Sequence, residues 1–279
     1  MPPDPLQTFC DLNDGRIDSV IQACGTYQPQ AVNSAKIFQW LRQFDPNHYD
    51  LALRLLEGVE FYDLRRMHEM LRGLHRAVVN QFEQDGFSWN NVYFVPLGSP
   101  GESSHEMIRR YRDVNRVNPA KLKFVSDMQG LIYDASKKGA RLAFMFVDDF
   151  IGSGKKVSDY WNDVLKQIVS LPPKPAIYFA CCVACEQGML KVRQTPVQVL
   201  AVHNVPDRLF LTQSNRFNAA EKQLIRDYCD KAGNKPKDVY LEIMLAFAHG
   251  APNNALSVLR GSKRQNPWRG ILPRFDDLP

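Results

Sequence analysis

Leu142-Ala-Phe-Met-Phe-Val147 runs straight into Asp148-Asp149-Phe-Ile-Gly152-Ser153-Gly154-Lys155-Lys156. Six apolar residues read as a buried strand, two adjacent carboxylates follow it, and a short Gly/Ser turn then opens a helical stretch. In open α/β sheets, ligands gather at the carboxyl ends of strands, often against a helix N-terminus. A strand ending in acids and a phosphate-sized turn has the layout of a sugar-phosphate site. Asp148 and Asp149 suit ribose hydroxyls or a hydrated metal, and the backbone N–H groups of Gly152, Ser153, Gly154, Lys155 and Lys156 suit a phosphate. Gly154-Lys155 does not make a P-loop, because Asp149 and Lys156 stand where that pattern needs Gly and Ser or Thr. The bland alternative is a strand closing in a solvated acidic turn, since Asp and Gly are common turn residues.

The flanking sequence extends this into an α/β pattern. Val92-Tyr-Phe-Val-Pro96, Ala176 to Val183 and Val197 to Val202 are further short apolar runs. Helical stretches lie between them: one capped by Ser103 or Ser104 and reaching about Arg116, one from Lys156 to Val169, and one from Glu186 to Val192. Near-continuous apolar strands alternating with helices predict a parallel sheet with helices on both faces. Before this region, Leu64, Met67, Leu71, Leu74, Val78 and Phe82 recur at spacings of three and four, the stripe of an amphipathic helix. Asp45-Pro46-Asn47 breaks an earlier helix, and another is expected from Tyr49 to Val59. Beyond His203 the pattern predicts helices from Ala219 to Lys231 and from Asp238 to His249, then an irregular basic tail. The expected division is a helical lobe over 1–90 packed on the core, an α/β core over 91–205, and a C-terminal extension over 206–279.

Composition narrows the class. The chain has 279 residues, 44% of them hydrophobic and 23% charged, which is ordinary for a soluble globular protein. No apolar run approaches the ~18 residues of a membrane span. Met-Pro-Pro-Asp-Pro lacks the basic flank and apolar core of a signal peptide, so a cytoplasmic location is expected. Cys181, Cys182 and Cys185 lie in or beside an apolar run with no second Cys/His pair at zinc spacing, and read as reduced core thiols. The net charge of +5 permits an anionic partner. Arg109, Arg110, Arg112 and Arg116 crowd one segment. Arg260, Lys263, Arg264, Arg269 and Arg274 form a second group with Trp268 and Phe275 among them.

The strand, its two acids and the small-residue loop resemble the signature of the phosphoribosyltransferase family. Matched residue by residue, Asp148 and Asp149 fall on that family's ribose-binding acids, and Ser153-Gly154 on the first Thr-Gly of its 5′-phosphate loop. Lys155 and Lys156 depart from the usual Gly and Thr. The resemblance implies a type I phosphoribosyltransferase sheet. It also implies a pyrophosphate loop after the preceding strand, at Leu97, Gly98, Ser99 and Gly101, where small residues admit backbone N–H groups to phosphate oxygens. Family members often close a mobile basic segment over the pyrophosphate; Arg112 and Arg116, one turn apart, are the candidates for that side. Asn253 and Asn254 offer amides to a base or acceptor. Mg²⁺, held by Asp148 and Asp149 directly or through water, is the implied cofactor, with phosphoribosyl diphosphate or a nucleotide as ligand. Taken with Trp40-Leu-Arg-Gln-Phe44, Val95-Pro-Leu-Gly-Ser99 and Gly250-Ala-Pro-Asn-Asn254, the chain is similar to a branch found in bacterial conflict and phage-defence systems, including retron loci. That implies an effector acting at C1 of a phosphoribosyl compound or nucleotide. The alternatives are a non-catalytic nucleotide sensor, or a nucleic-acid-associated subunit held by a protein partner in a defence complex.

Overall fold

A computed structural model describes residues 4–98, 102–170, 174–233, 241–261 and 268–274. Among these, six strands form: β1 (Glu60–Tyr62), β2 (Val92–Val95), β3 (Ala143–Ile151), β4 (Ala176–Ala184), β5 (Gln198–Asn204) and β6 (Leu245–Phe247). The chain divides into two compact units, one of residues 65–205 and one made from both ends, 1–64 with 206–279. No helix among the described residues is long and apolar enough to cross a membrane.

Residues 65–205 carry the sheet. Its order is β2-β3-β4-β5, all parallel. An isolated parallel bridge between Phe94 and Leu122 extends it beyond β2. The chain therefore leaves β2 for one side of the sheet and returns as β3 on the other side. Such a switch point opens a crevice at the strands' carboxyl ends, because the connections after β2 and β3 depart in opposite directions. All nine residues of β4 are buried, as a strand covered on both faces requires. Phe146, Phe179 and Cys181 pack on one face with Ile132, Val157 and Met189 of three helices. On the opposite face Phe94 meets Tyr111 at 5.2 Å and Tyr178 meets Phe82 at 4.8 Å between ring centroids.

Two expectations need revision here. β3 does not stop at the acids but runs through them to Ile151, because β4 keeps pairing as far as Ile151↔Ala184. The long helix Leu64–Gln84 groups with the sheet rather than with a lobe ending at residue 90. Its buried stripe, Met67, Met70, Leu71, Leu74, Val78 and Phe82, is spaced to lie on one face, and Phe82 packs on β4 through Tyr178.

The other unit is helical around one small parallel pair, β1 with β6, in the register Glu60↔Leu245. The helix expected from Asp238 to His249 is thus replaced: residues 238–240 lie outside the described residues, and Leu245–Phe247 is a strand. Leu241-Glu-Ile-Met-Leu-Ala-Phe-Ala is apolar almost throughout, so periodicity cannot separate a buried strand from a buried helix there. Residues 268–274 are packed into this unit. Trp268, Ile271 and Leu272 are buried, and the indole N–H groups of Trp40 and Trp268 both donate to the carbonyl of Val258 at 3.0 Å. Tyr27 binds the two ends together: its hydroxyl donates to Pro273 O at 2.5 Å and accepts from the Ala251 N–H at 3.0 Å. Tyr27→Phe strands a buried donor and a buried acceptor. It is expected to lower the unfolding free energy by about 2 kcal/mol in denaturant titrations. A loss below about half that would mean that water replaces the hydroxyl.

Candidate functional site

Asp148 lies in the second half of β3 and is only 3% exposed. A buried carboxylate needs partners, and three groups supply them. Ser103 Oγ donates to its Oδ1 at 2.8 Å, the Asp149 N–H donates to the same oxygen at 3.0 Å, and Lys156 Nζ reaches Oδ2 at 3.2 Å. Ser103 opens the helix Ser103–Asn115 and Lys156 sits in the first turn of the helix Lys155–Tyr160. The first of these helices lies on the Tyr111 face of the sheet, and the second presents Val157 to the opposite core. Asp148 is therefore the point at which the connections from both faces converge.

The two serines expected as helix caps have another role. The helix is capped by the backbone conformation of Glu102, without a side-chain hydrogen bond. Ser103 turns to Asp148. Ser104, fully buried, accepts from the Leu97 N–H and donates to the Val147 carbonyl, both at 2.8 Å. This staples the end of β2 and the helix start onto β3. Gly98 has φ of 86°, and the Glu102 carboxylate occupies the space of a Cβ there, 2.6 Å from its ideal position. At this φ only glycine is unstrained. Tyr160, from the Lys155 helix, hydrogen-bonds the backbone of Gly98. Ser99 and Gly101, the other expected members of this loop, lie outside the described residues.

Across the crevice, Gly152-Ser153-Gly154 turns sharply, with Gly154 at φ of 73°. The turn is pressed against Gly188 of the helix Glu186–Val192: a Cβ on Gly154 would lie 2.4 Å from Gly188 O, and one on Gly188 would lie 2.0 Å from Gly152 O. This crossing fixes the turn. A glycine inside a short helix was the sequence signal for such a close approach, but its partner was not apparent. Lys155 pairs with Asp159 one turn on. Lys156 spans the crevice, with Nζ 2.9 Å from Glu102 Oε2 as well as 3.2 Å from Asp148 Oδ2.

Charge follows from this geometry. Burial, and then the neighbouring charge of Asp149, push the Asp148 carboxyl up to about 7, against the pull of Lys156 and Ser103. Burial works against the Lys156 ammonium, but Asp148 and Glu102 outweigh it and hold its pKa above the ordinary lysine value. Cys182 and Cys185 are buried thiols, and desolvation raises Cys185 to about 12. Neither is a thiolate at neutral pH.

Arg112 and Arg116 do not join this cluster. They stand at the far end of the helix Ser103–Asn115, about 13 Å or more along its axis from Ser103. Arg112 pairs there with Asp113 at 2.6 Å, and Arg116 is the left-handed C-cap. A helix starting at the strands' carboxyl ends carries its last turn away from them. Asn253 and Asn254 belong to the other unit, where their groups serve the fold. Asn253 O accepts from Arg260 at 2.9 Å, its amide oxygen accepts from Arg274, and Asn254 O accepts from the Ile243 N–H at 3.0 Å. Trp268 is buried, so it has no face to stack on a base. Lys263, Arg264 and Phe275 lie outside the described residues.

Two outcomes test this geometry. Gly188→Ala forces a methyl into the Gly152 carbonyl and is expected to cost about 1–3 kcal/mol of stability; an unchanged denaturation midpoint would refute the crossing. Asp148 binds its proton more tightly folded than unfolded, its ordinary value being 3.8. Its contribution to stability is therefore full below about pH 4 and lost as pH rises through about 7. Between pH 5 and pH 8, wild type should lose on the order of 2 kcal/mol relative to Asp148→Asn in paired denaturant titrations. Parallel pH profiles would mean that Asp148 titrates normally.

No curated protein and no solved structure matches the chain. The family model named PRTase-CE, a phosphoribosyltransferase-like family, matches residues 37–274, most of the chain and parts of both units. With the parallel sheet, the acids on β3 and the glycine turn behind them, the match establishes that this chain belongs to the PRTase-CE family.

Proposed function

We propose that the β2/β3 crevice binds a phosphoribosyl compound, either phosphoribosyl diphosphate or a nucleotide, and that the chain acts at its C1 carbon as an effector in bacterial antiviral defence. The observation that carries this reading is the buried Asp148 beside a braced glycine turn at the sheet's switch point. Asp148 and Asp149 then orient the ribose hydroxyls, and the N–H groups from Gly152 to Lys156 receive the 5′-phosphate. Leu97, Gly98 and the first turn of the Ser103 helix then face the pyrophosphate. In the reaction, the bond from C1 to the leaving group breaks with its electron pair going to pyrophosphate or base. An acceptor nitrogen or water then forms the new bond at C1. Positive charge developing on the sugar favours nearby carboxylates.

Magnesium suits this donor set. Among the described residues no group of three or more His, Cys, Asp or Glu is arranged to hold a metal. Mg²⁺ commonly takes only one or two carboxylates and completes its octahedron with substrate oxygens and water. Asp148 and Asp149 would be the protein's share, and the ion would neutralise charge on departing pyrophosphate.

A second reading, nucleotide sensing without turnover, is favoured by the engagement of both Asp148 oxygens within the protein. Calorimetric titration with phosphoribosyl diphosphate and with nucleoside monophosphates, with and without Mg²⁺, tests the site common to both readings. Saturable binding is expected, weakened about ten- to a hundredfold in Asp148→Asn and in Ser103→Ala. Absence of binding to every one of these ligands sinks the phosphoribosyl reading. Binding without release of pyrophosphate or base across a set of acceptors selects the sensor.

A further inference from the structure

The Lys156 side chain joins two carboxylates that stand 46 residues apart in sequence, Glu102 at the start of one helix and Asp148 on the central strand, at 2.9 and 3.2 Å. Two acids from separate segments thus meet one ammonium. We propose that Lys156 is the resident counter-ion of this site: it occupies the position between Asp148 and Glu102 that a divalent cation would take, so the protein without ligand excludes free divalent ions from these carboxylates. The inference deepens the reading above, since it concerns the same acids, but it stands on the geometry of the unliganded chain.

Three features support it. An ammonium is a compact point charge with three donors, and two of them are accounted for by these acids. It is tethered one residue into a helix that begins at the crevice, so its effective concentration at Asp148 is fixed by the fold and cannot be diluted, as a dissolved ion can. The Lys156 side chain is still 43% exposed, so it can swing out without unpacking the core. A dianionic phosphate arriving at the Gly152–Lys156 turn offers it a competing partner. Departure of Lys156 would uncover the carboxylates for a cation brought in on the same ligand. Lys156 thereby makes metal binding conditional on an anion.

Manganese alone is the probe, with free Mn²⁺ followed by electron paramagnetic resonance at neutral pH and no phosphate present. Wild type and Asp148→Asn are expected to bind Mn²⁺ equally weakly, whereas Lys156→Gln gains one site at least roughly tenfold tighter, about 1.4 kcal/mol. That gain should vanish in Lys156→Gln combined with Asp148→Asn. A tight site in wild type that Asp148→Asn removes would overturn the proposal, and that arm needs no lysine variant to fold. A folded Lys156→Gln with no added site would overturn it equally. Neither result depends on phosphoribosyl binding, so failure here and failure of the phosphoribosyl reading are separately visible.

Discussion

A carboxylate placed almost wholly out of water must be compensated where it stands, and in this protein the compensation organises the neighbourhood. Asp148 draws Ser103 from one side, Lys156 from the other and the backbone N–H of its own neighbour. Each comes from a different stretch of chain, so the ends of two connections are located by one buried charge. Ser104 adds a neutral staple beside the charged one, tying Leu97 to Val147. Replacing the carboxylate with an apolar side chain would spare its desolvation, so a buried acid here is a cost that the fold alone does not require.

The turn behind the acids is held by a different means. Two glycines on separate elements approach so closely that neither tolerates a Cβ. Packing of backbone on backbone leaves few alternative arrangements, because no rotamer can relax to relieve it. The crevice thus has one wall set by electrostatics and one by steric exclusion. The first can respond to a ligand's charge, while the second keeps its shape.

Much of this was legible in the chain, for identifiable reasons. The run from Leu142 to Val147 read as a buried strand because it is short, rich in aromatic and β-branched residues near its end, and bounded by acids and a glycine turn. The alternation of short strands and helices then gave the sheet. Relations between distant segments were not legible. The Glu102–Lys156–Asp148 arrangement exists only once topology brings three segments together, and the Gly154–Gly188 crossing has the same character. For Arg112 and Arg116, one-turn spacing shows that two side chains share a face, not which end of the helix stands at the crevice. Residues 241–249 misled because an apolar segment buried on all sides carries no period to read.

The unit built from both chain ends has a consequence for biosynthesis. Residues 65–205 form a continuous stretch with their own core, so they can fold as soon as they leave the ribosome. The N-terminal helices cannot finish then: Tyr27 waits for Pro273, and Trp40 shares its carbonyl acceptor with Trp268. For most of translation Trp40 lacks the acceptor at Val258 that it will use, an interval in which a nascent-chain chaperone has a target. A polypeptide terminated shortly before residue 268 would carry an intact crevice in one unit and a second unit that cannot close. Quality control that senses exposed apolar helices would therefore remove it, however well formed its site.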